Sequence, residues 1–213
     1  CDWSSDVCSS DLKPFVKEGP VGPANGFAAS LENSEIAATI ICGDNYYVEN
    51  MDEVKTFIKE QLQKYEVDLF IAGPAFNAGR FGIACADACT FVKKEIGVEA
   101  ITGLYWENPA VEMYKKEIYI LETGKSAAAM KKAVDAMSSF ANKLLSGEPV
   151  GLPKQDGYFA IGKRVNVFKE KNGAERALDM LVTKLKNEPF ETEVELSTYE
   201  KVEPAPPVKD LSK

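Results

Sequence analysis

The residues best suited to chemistry sit in four short polar segments, each of which follows an apolar run. Asn77-Ala-Gly-Arg80-Phe-Gly82 places two glycines around an arginine. A guanidinium in such a loop can hold a carboxylate through two parallel hydrogen bonds, with Asn77 and mobile backbone closing around it. The same arginine can instead pair with a neighbouring acid and only pin the loop. Thr123-Gly124-Lys125-Ser126 has the ending of a phosphate-binding loop, but the required glycine five residues before Gly124 is Tyr119. What survives is a tight turn at Gly124 and a helix start whose free N–H groups can hold an anion, or a Ser126 that merely caps the helix. Glu107-Asn108-Pro109 and Asp44-Asn45 end two further apolar runs and extend the same polar character.

Several chemistries are excluded at once. There is no histidine in the chain, which removes a Ser-His-Asp hydrolase and any His-based zinc site. Cys85 and Cys89 are one helical turn apart and share a helix face. They read either as small packing residues or as a reactive pair, and free cysteine is among the most buried residue types. With Cys42 they cannot close a four-thiolate metal site on their own, although a carboxylate could complete one. No metal site and no bound cofactor is expected in this chain.

These segments need elements to position them. Residues 35–44, EIAATIICGD, form a β-branched run that ends in Gly and Asp, as a buried parallel strand would. Met51 to Tyr65 has apolar residues at helical spacing, and residues 67–73 form a second strand that breaks at Gly73-Pro74. A helix is predicted from Ile83 to Ile96 with Gly97 as its stop. Strands at 99–106 and 117–122, a short helix at 110–115 and a long one at 126–145 continue the alternation. Strand and helix in turn, joined by short connections, require crossover helices. The expected class is α/β, a doubly wound and mainly parallel sheet with helices on both faces, Rossmann-like or flavodoxin-like. The four strands should form one sheet with Asn77, Arg80, Glu107, Asn108, Lys125 and Ser126 at its carboxyl edge, where such folds bind ligands. Residues 173–186 read as an amphipathic helix, and a tail with Pro204, Pro206 and Pro207 reads as a linker.

Length and charge bound the rest. A chain of 213 residues with 45% hydrophobic composition can bury one substantial core. Its net charge of −8 disfavours nucleic acid and anionic membranes as partners. No apolar run approaches the roughly 20 residues of a membrane span. Neither is there an export signal at the start, and a cytoplasmic location is expected. Residues 1–12, CDWSSDVCSSDL, resemble a translated sequencing-library adapter. They are expected to be disordered and to pack against nothing, with the α/β domain over 13–190 and a tail or linker to a further domain over 191–213.

The segments EGPVGP (18–23), ICGDNYYVEN (41–50), DLFIAGPAFNAGR (68–80), TGLYWENPAVEMYKK (102–116) and ETGKSAA (122–128) resemble, in order and spacing, a known family. So do GYFAIGKRVN (157–166), GAERALDML (173–181) and PAPPVKDLSK (204–213). That family is the large subunit of component B of the glycine, sarcosine and betaine reductases. The resemblance implies a small amine substrate held as a Schiff base on a carbonyl, pyruvoyl-type group of partner component B subunits. Selenocysteine from a domain beyond Lys213 would then cleave the carbon–nitrogen bond, and the carboxymethyl group would pass to the selenoprotein component A and leave as acetyl phosphate. No catalytic residue is expected in this chain, which should be inactive alone. Two other readings compete: a non-catalytic ligand-binding or assembly domain, and a nucleotide-binding enzyme built on Gly124 to Ser126.

Overall fold

The structure is a computed structural model that describes residues 10–162, 168–190, 192 and 193. The chain divides into two units, residues 1–163 and 164–213.

The first unit begins with a ribbon. Strand β1 (Phe15–Glu18) pairs antiparallel with β2 (Ala38–Ile41), Phe15 opposite Ile41 and Glu18 opposite Ala38. Between them lies α1 (Ala24–Ser30). Thr39 secures the bend after β1, since its hydroxyl donates to the Gly19 carbonyl at 2.7 Å and accepts from the Val21 N–H at 3.2 Å. This corrects the expectation for residues 35–44. The strand is there, but β1 takes its ladder edge, and every residue of β2 is only half-buried. An apolar run with one partly covered face fits an antiparallel ribbon as well as a parallel strand.

Two helices follow, α2 (Asp44–Glu49) and α3 (Met51–Tyr65), and α3 buries Val54, Ile58 and Leu62 at four-residue spacing. The parallel sheet has three strands in the order β3 (Leu69–Phe76), β4 (Glu99–Leu104) and β5 (Tyr119–Glu122). Helix α4 (Gly79–Phe91) connects the first two, runs on as a π-helical turn over Val92–Ile96, and stops at Gly97 with φ 83°. Helix α5 (Pro109–Tyr114) connects the second and third. After β5 a 3-10 turn, Ala127–Ala129, leads into α6 (Met130–Leu145).

Strand alternation sorts the core onto two faces. Ala72, Ala100, Leu104 and Ile120 face α4, where Ala84, Cys85, Ala88 and Cys89 supply small side chains that let the helix lie close. Ile101 and Leu121 face α6, against Val134, Met137 and Phe140, with Phe27 of α1 completing that side. Each fully buried aliphatic side chain here contributes about 1.5–3 kcal/mol. Helices therefore cover both faces of a parallel sheet, the α/β arrangement expected from the sequence. The outer edge of β5 is covered by the segment after α7 (Pro153–Asp156), where Glu122 N–H donates to the Gly157 carbonyl and Phe159 N–H to the Ile120 carbonyl. Tyr158 closes that edge, its ring 5.1 Å from Tyr119 and 5.8 Å from Phe140.

In the second unit, α8 (Gly173–Leu185) starts at a reciprocal cap: Asn172 Oδ1 accepts from Glu175 N–H, and Glu175 Oε2 from Asn172 N–H, both at 2.9 Å. The predicted tail of 191–213 lies, apart from residues 192 and 193, outside the described residues.

At the other end, residues 1–9 are also outside the described residues, whereas residues 10–12 make contacts. The Ser10 carbonyl accepts from Asn45 and Tyr46 N–H, and the Leu12 carbonyl from Gly43 N–H at 2.9 Å. Gly43 makes this approach possible, because a Cβ there would stand 2.6 Å from Leu12 N. The expectation that all of 1–12 packs against nothing therefore does not hold for residues 10–12.

Candidate functional site

Because the three strands are parallel, the loops after β3, β4 and β5 gather at one end of the sheet. Backbone bonds tie them to one another. Tyr105 N–H donates to the Phe76 carbonyl at 3.0 Å, and Thr123 N–H to the Leu104 carbonyl at 2.9 Å. Phe76 ends β3 with φ 50°. A left-handed conformation costs a residue with a Cβ about 1–2 kcal/mol, so the neighbours must hold it there.

The six expected site residues divide by environment. Arg80 is exposed at the start of α4, and its guanidinium donates to Asn45 Oδ1 at the start of α2. Its described partner is thus a neutral amide and not a carboxylate. Asn45 in turn donates to Asp11 Oδ1 at 3.2 Å. Glu107 and Lys125 meet across neighbouring loops at 3.6 Å, both well exposed, a pairing that contributes about 0–1 kcal/mol. Lys125 also lies 6.0 Å over the Tyr105 ring, and Tyr105 is 5.8 Å from Trp106, which is 57% exposed. Asn77 is half-buried on the first loop, and Ser126 is exposed on the third. Ser126 stands at the cap position before the 3-10 turn without a side-chain cap bond. Gly124 serves close approach, since a Cβ there would stand 2.5 Å from Ala129 Cβ.

Asn108 is the exception among the six. It is 1% exposed, accepts from Ala110 N–H and donates to the Phe76 and Ala78 carbonyls, each at 3.1 Å. Its amide is committed inside the protein. Asn108 therefore differs from the other five substrate-binding candidates in being enclosed by the protein. The aromatic pair Tyr105 and Trp106 belongs to this edge too, and sequence patterning hid it because both rings continue the apolar run of β4.

The thiols are packing groups. Cys89 is fully buried and donates to the Ile101 carbonyl at 3.3 Å. Burial, with the Asp44 carboxylate adding to it, pushes Cys85 up to about 12 and Cys42 to about 11. Both stay protonated at neutral pH and are poor nucleophiles. Beside them lies a polar cluster that sequence reasoning missed: Lys55 Nζ at 2.7 Å and Tyr47 Oη at 2.8 Å share Asp87 Oδ2. Burial and the Asp87 charge raise the Tyr47 phenol far above its ordinary value. Its members lie on α2, α3 and α4, and no spacing within one element announces them. An open groove of about 450 Å³, lined by Glu32, Asn142, Lys143 and Asp156 among others, lies by the last turns of α6 and is separate from this edge.

Comparison with known proteins bears on what this edge serves. The family described as glycine/sarcosine/betaine reductase selenoprotein B matches residues 8–213. The chain belongs to this family. The match begins inside the segment read as adapter, consistent with the contacts of residues 10–12. The sarcosine reductase complex component B subunit beta of Peptoclostridium acidaminophilum is 46% identical over 205 residues, 96% of this chain and 47% of that protein. The glycine reductase complex component B subunit gamma of Carboxydothermus hydrogenoformans has the same identity and coverage. The betaine reductase complex component B subunit beta of Peptoclostridium acidaminophilum is 41% identical over 206 residues, again 96% and 47%. The chain thus spans about half the length of the relatives it matches. No solved structure matches. Among the described residues no helix is long and apolar enough to cross a membrane.

Proposed function

We propose that this chain is the amino-terminal part of the large component B subunit of a glycine, sarcosine or betaine reductase, and that its sheet edge receives the amine substrate. The observation that carries the reading is the 41–46% identity, over 96% of the chain, to component B subunits of all three reductases. The edge has the chemistry for such a substrate. Arg80 offers a cation to the substrate carboxylate, with Asn45 holding the guanidinium in place. The exposed Trp106 and its neighbour Tyr105 offer ring faces to an ammonium or quaternary ammonium group. Glu107 offers a carboxylate to the same charge, Lys125 a second cation, and Asn77 and Ser126 polar groups on the flanking loops.

In this scheme the chain binds and orients, and carbon–nitrogen cleavage is supplied from elsewhere, by a carbonyl group on partner component B subunits and a selenocysteine beyond Lys213. The partner subunits and component A would be the chain's protein partners, in the cytoplasm. The 213-residue chain alone should then produce no acetyl phosphate. The test reconstitutes partner subunits, component A, phosphate, dithiol and each amine, with either the full-length subunit or this chain. Turnover only with the full-length subunit is the expected result; turnover with this chain overturns the assignment of the chemistry to the remaining half.

A further inference from the structure

We infer that Asn108 is a positioning residue whose side-chain amide locks residues 76–78 and so fixes where Arg80 is presented, a role that presupposes the amine-binding edge proposed above. Asn108 uses each of its polar groups. Oδ1 accepts from Ala110 N–H and caps α5, while Nδ2 donates to the Phe76 and Ala78 carbonyls at 3.1 Å each. The two carbonyls belong to residues 32 and 30 positions earlier, on a different loop.

Phe76 holds φ 50°, which an aromatic residue keeps only when its surroundings over-determine it. Two donors converge on its carbonyl, Tyr105 N–H at 3.0 Å and Asn108 Nδ2. The Ala78 carbonyl takes Asn108 Nδ2 and also Gly82 N–H at 2.7 Å, the bond that opens α4. One buried amide thus spans the junction between strand and helix. Asn77 lies between the two held carbonyls and Arg80 two residues after them, so the direction in which both leave the sheet follows from this junction. Gly82 is shaped to the amide as well: a Cβ there would stand 2.7 Å from Asn108 Oδ1 and 2.8 Å from its Cγ. Gly82 does not have a positive φ, so close approach to Asn108 is what its missing side chain provides.

A role limited to capping α5 and a role in locking the loop make different demands. Aspartate caps a helix as well as asparagine, so Asn108→Asp is harmless if capping is all that matters. If the lock matters, Asn108→Asp removes both donors and sets a carboxylate against two carbonyl oxygens. The experiment uses the 213-residue chain and compares wild type with Asn108→Asp, Asn108→Ala, Gly82→Ala and the double variant Gly82→Ala/Asn108→Ala. Amide hydrogen exchange is read over residues 76–82 and, as control, over residues 51–65, and the Arg80 side-chain resonance is followed during titration with glycine betaine. We expect Asn108→Asp and Asn108→Ala to speed exchange over 76–82 by about tenfold or more while the control changes by less than about twofold, as for local opening. Gly82→Ala should reproduce the effect, and the double variant should be no worse than Asn108→Ala, because removing the amide frees the space the new methyl needs. Betaine affinity should fall in step with the exchange over 76–82. An Asn108→Asp variant with wild-type exchange over 76–82, or exchange that rises equally in the control, overturns the lock. If wild-type Arg80 does not respond to betaine, the amine-binding reading fails, and exchange over 76–82 still decides the lock. Should Asn108→Ala fail to fold, Asn108→Asp and Gly82→Ala carry the same comparison.

Discussion

At Gly103, in the middle strand, Met137 of α6 packs directly against the sheet. A Cβ built at Gly103 stands 2.5 Å from Met137 Sδ, 2.9 Å from Thr123 Cγ2 and 3.3 Å from Pro74 Cβ. Comfortable carbon contacts begin near about 3.5 Å, so all three neighbours must yield. Met137 can re-route its flexible chain, but Thr123 and Pro74 are stiff and buried. Gly103→Ala should therefore cost about 1–3 kcal/mol by overpacking. For a chain of this size that lowers the melting temperature by about 2–4 °C per kcal/mol. Met137 is fully buried, so Met137→Ala alone should cost about 2–5 kcal/mol through lost contacts and the space left behind. Together the two changes should cost less than their sum by about 0.5–3 kcal/mol, since the alanine methyl at 103 enters the volume that Met137 vacates. Urea denaturation followed by far-ultraviolet circular dichroism on wild type, both single variants and the double measures this coupling. Strict additivity, or an unchanged Gly103→Ala protein, would refute the packing of α6 on β4, and with it the placement of the loop that carries Lys125.

The remaining predictions concern charge and thiols. With Cys1 and Cys8 replaced by serine, a thiol reagent at neutral pH should modify Cys42 slowly and spare Cys85 and Cys89 until the chain unfolds; prompt labelling of all three would contradict their burial. Because Cys42 and Cys85 are raised to about 11 and 12, their contribution to stability is complete below the unfolded thiol value of about 8.5 and is lost as pH climbs toward the folded values. Melting temperature should accordingly fall at alkaline pH, and Cys85→Ala should flatten that fall. Hydrogen bonds from Lys143 hold the Asp156 carboxyl below its ordinary value. Its contribution is complete above about pH 4 and is lost as pH drops through the lower folded value, so Asp156→Asn should weaken the acid dependence of melting. Lys125→Ala should change stability by less than about 1 kcal/mol, because its pairing with Glu107 is exposed.

The sequence was most legible where one element carried its own signal. The helix at 51–65 has its apolar residues at helical spacing, and Gly97 ends α4 with the left-handed φ that its type permits. Parallel order for β3, β4 and β5 followed from crossovers of helical length. What was not legible depended on partners distant in the chain. The apolar run at 35–44 gave no sign that the four residues of β1 would take its edge. At the candidate site the loops were found, but not the roles: Asn108 resembles Asn77 in type and differs only in being enclosed by the carbonyls of Phe76 and Ala78. Gly82 read as part of a mobile loop and Gly124 as a tight turn, whereas both serve close approach, to Asn108 and Ala129.

The amine-binding edge is tested most directly by the affinity of this chain for glycine, sarcosine and betaine with and without the Arg80 guanidinium. A hydrogen-bonded charge pair contributes about 1.5–3 kcal/mol, so Arg80→Ala should weaken the preferred amine about 10- to 100-fold in a calorimetric titration. Melting temperature should stay close to wild type, since Arg80 is exposed and its described partner is a neutral amide. Equal affinity in wild type and Arg80→Ala, or no binding of any of the three amines to the wild-type chain, would contradict the account.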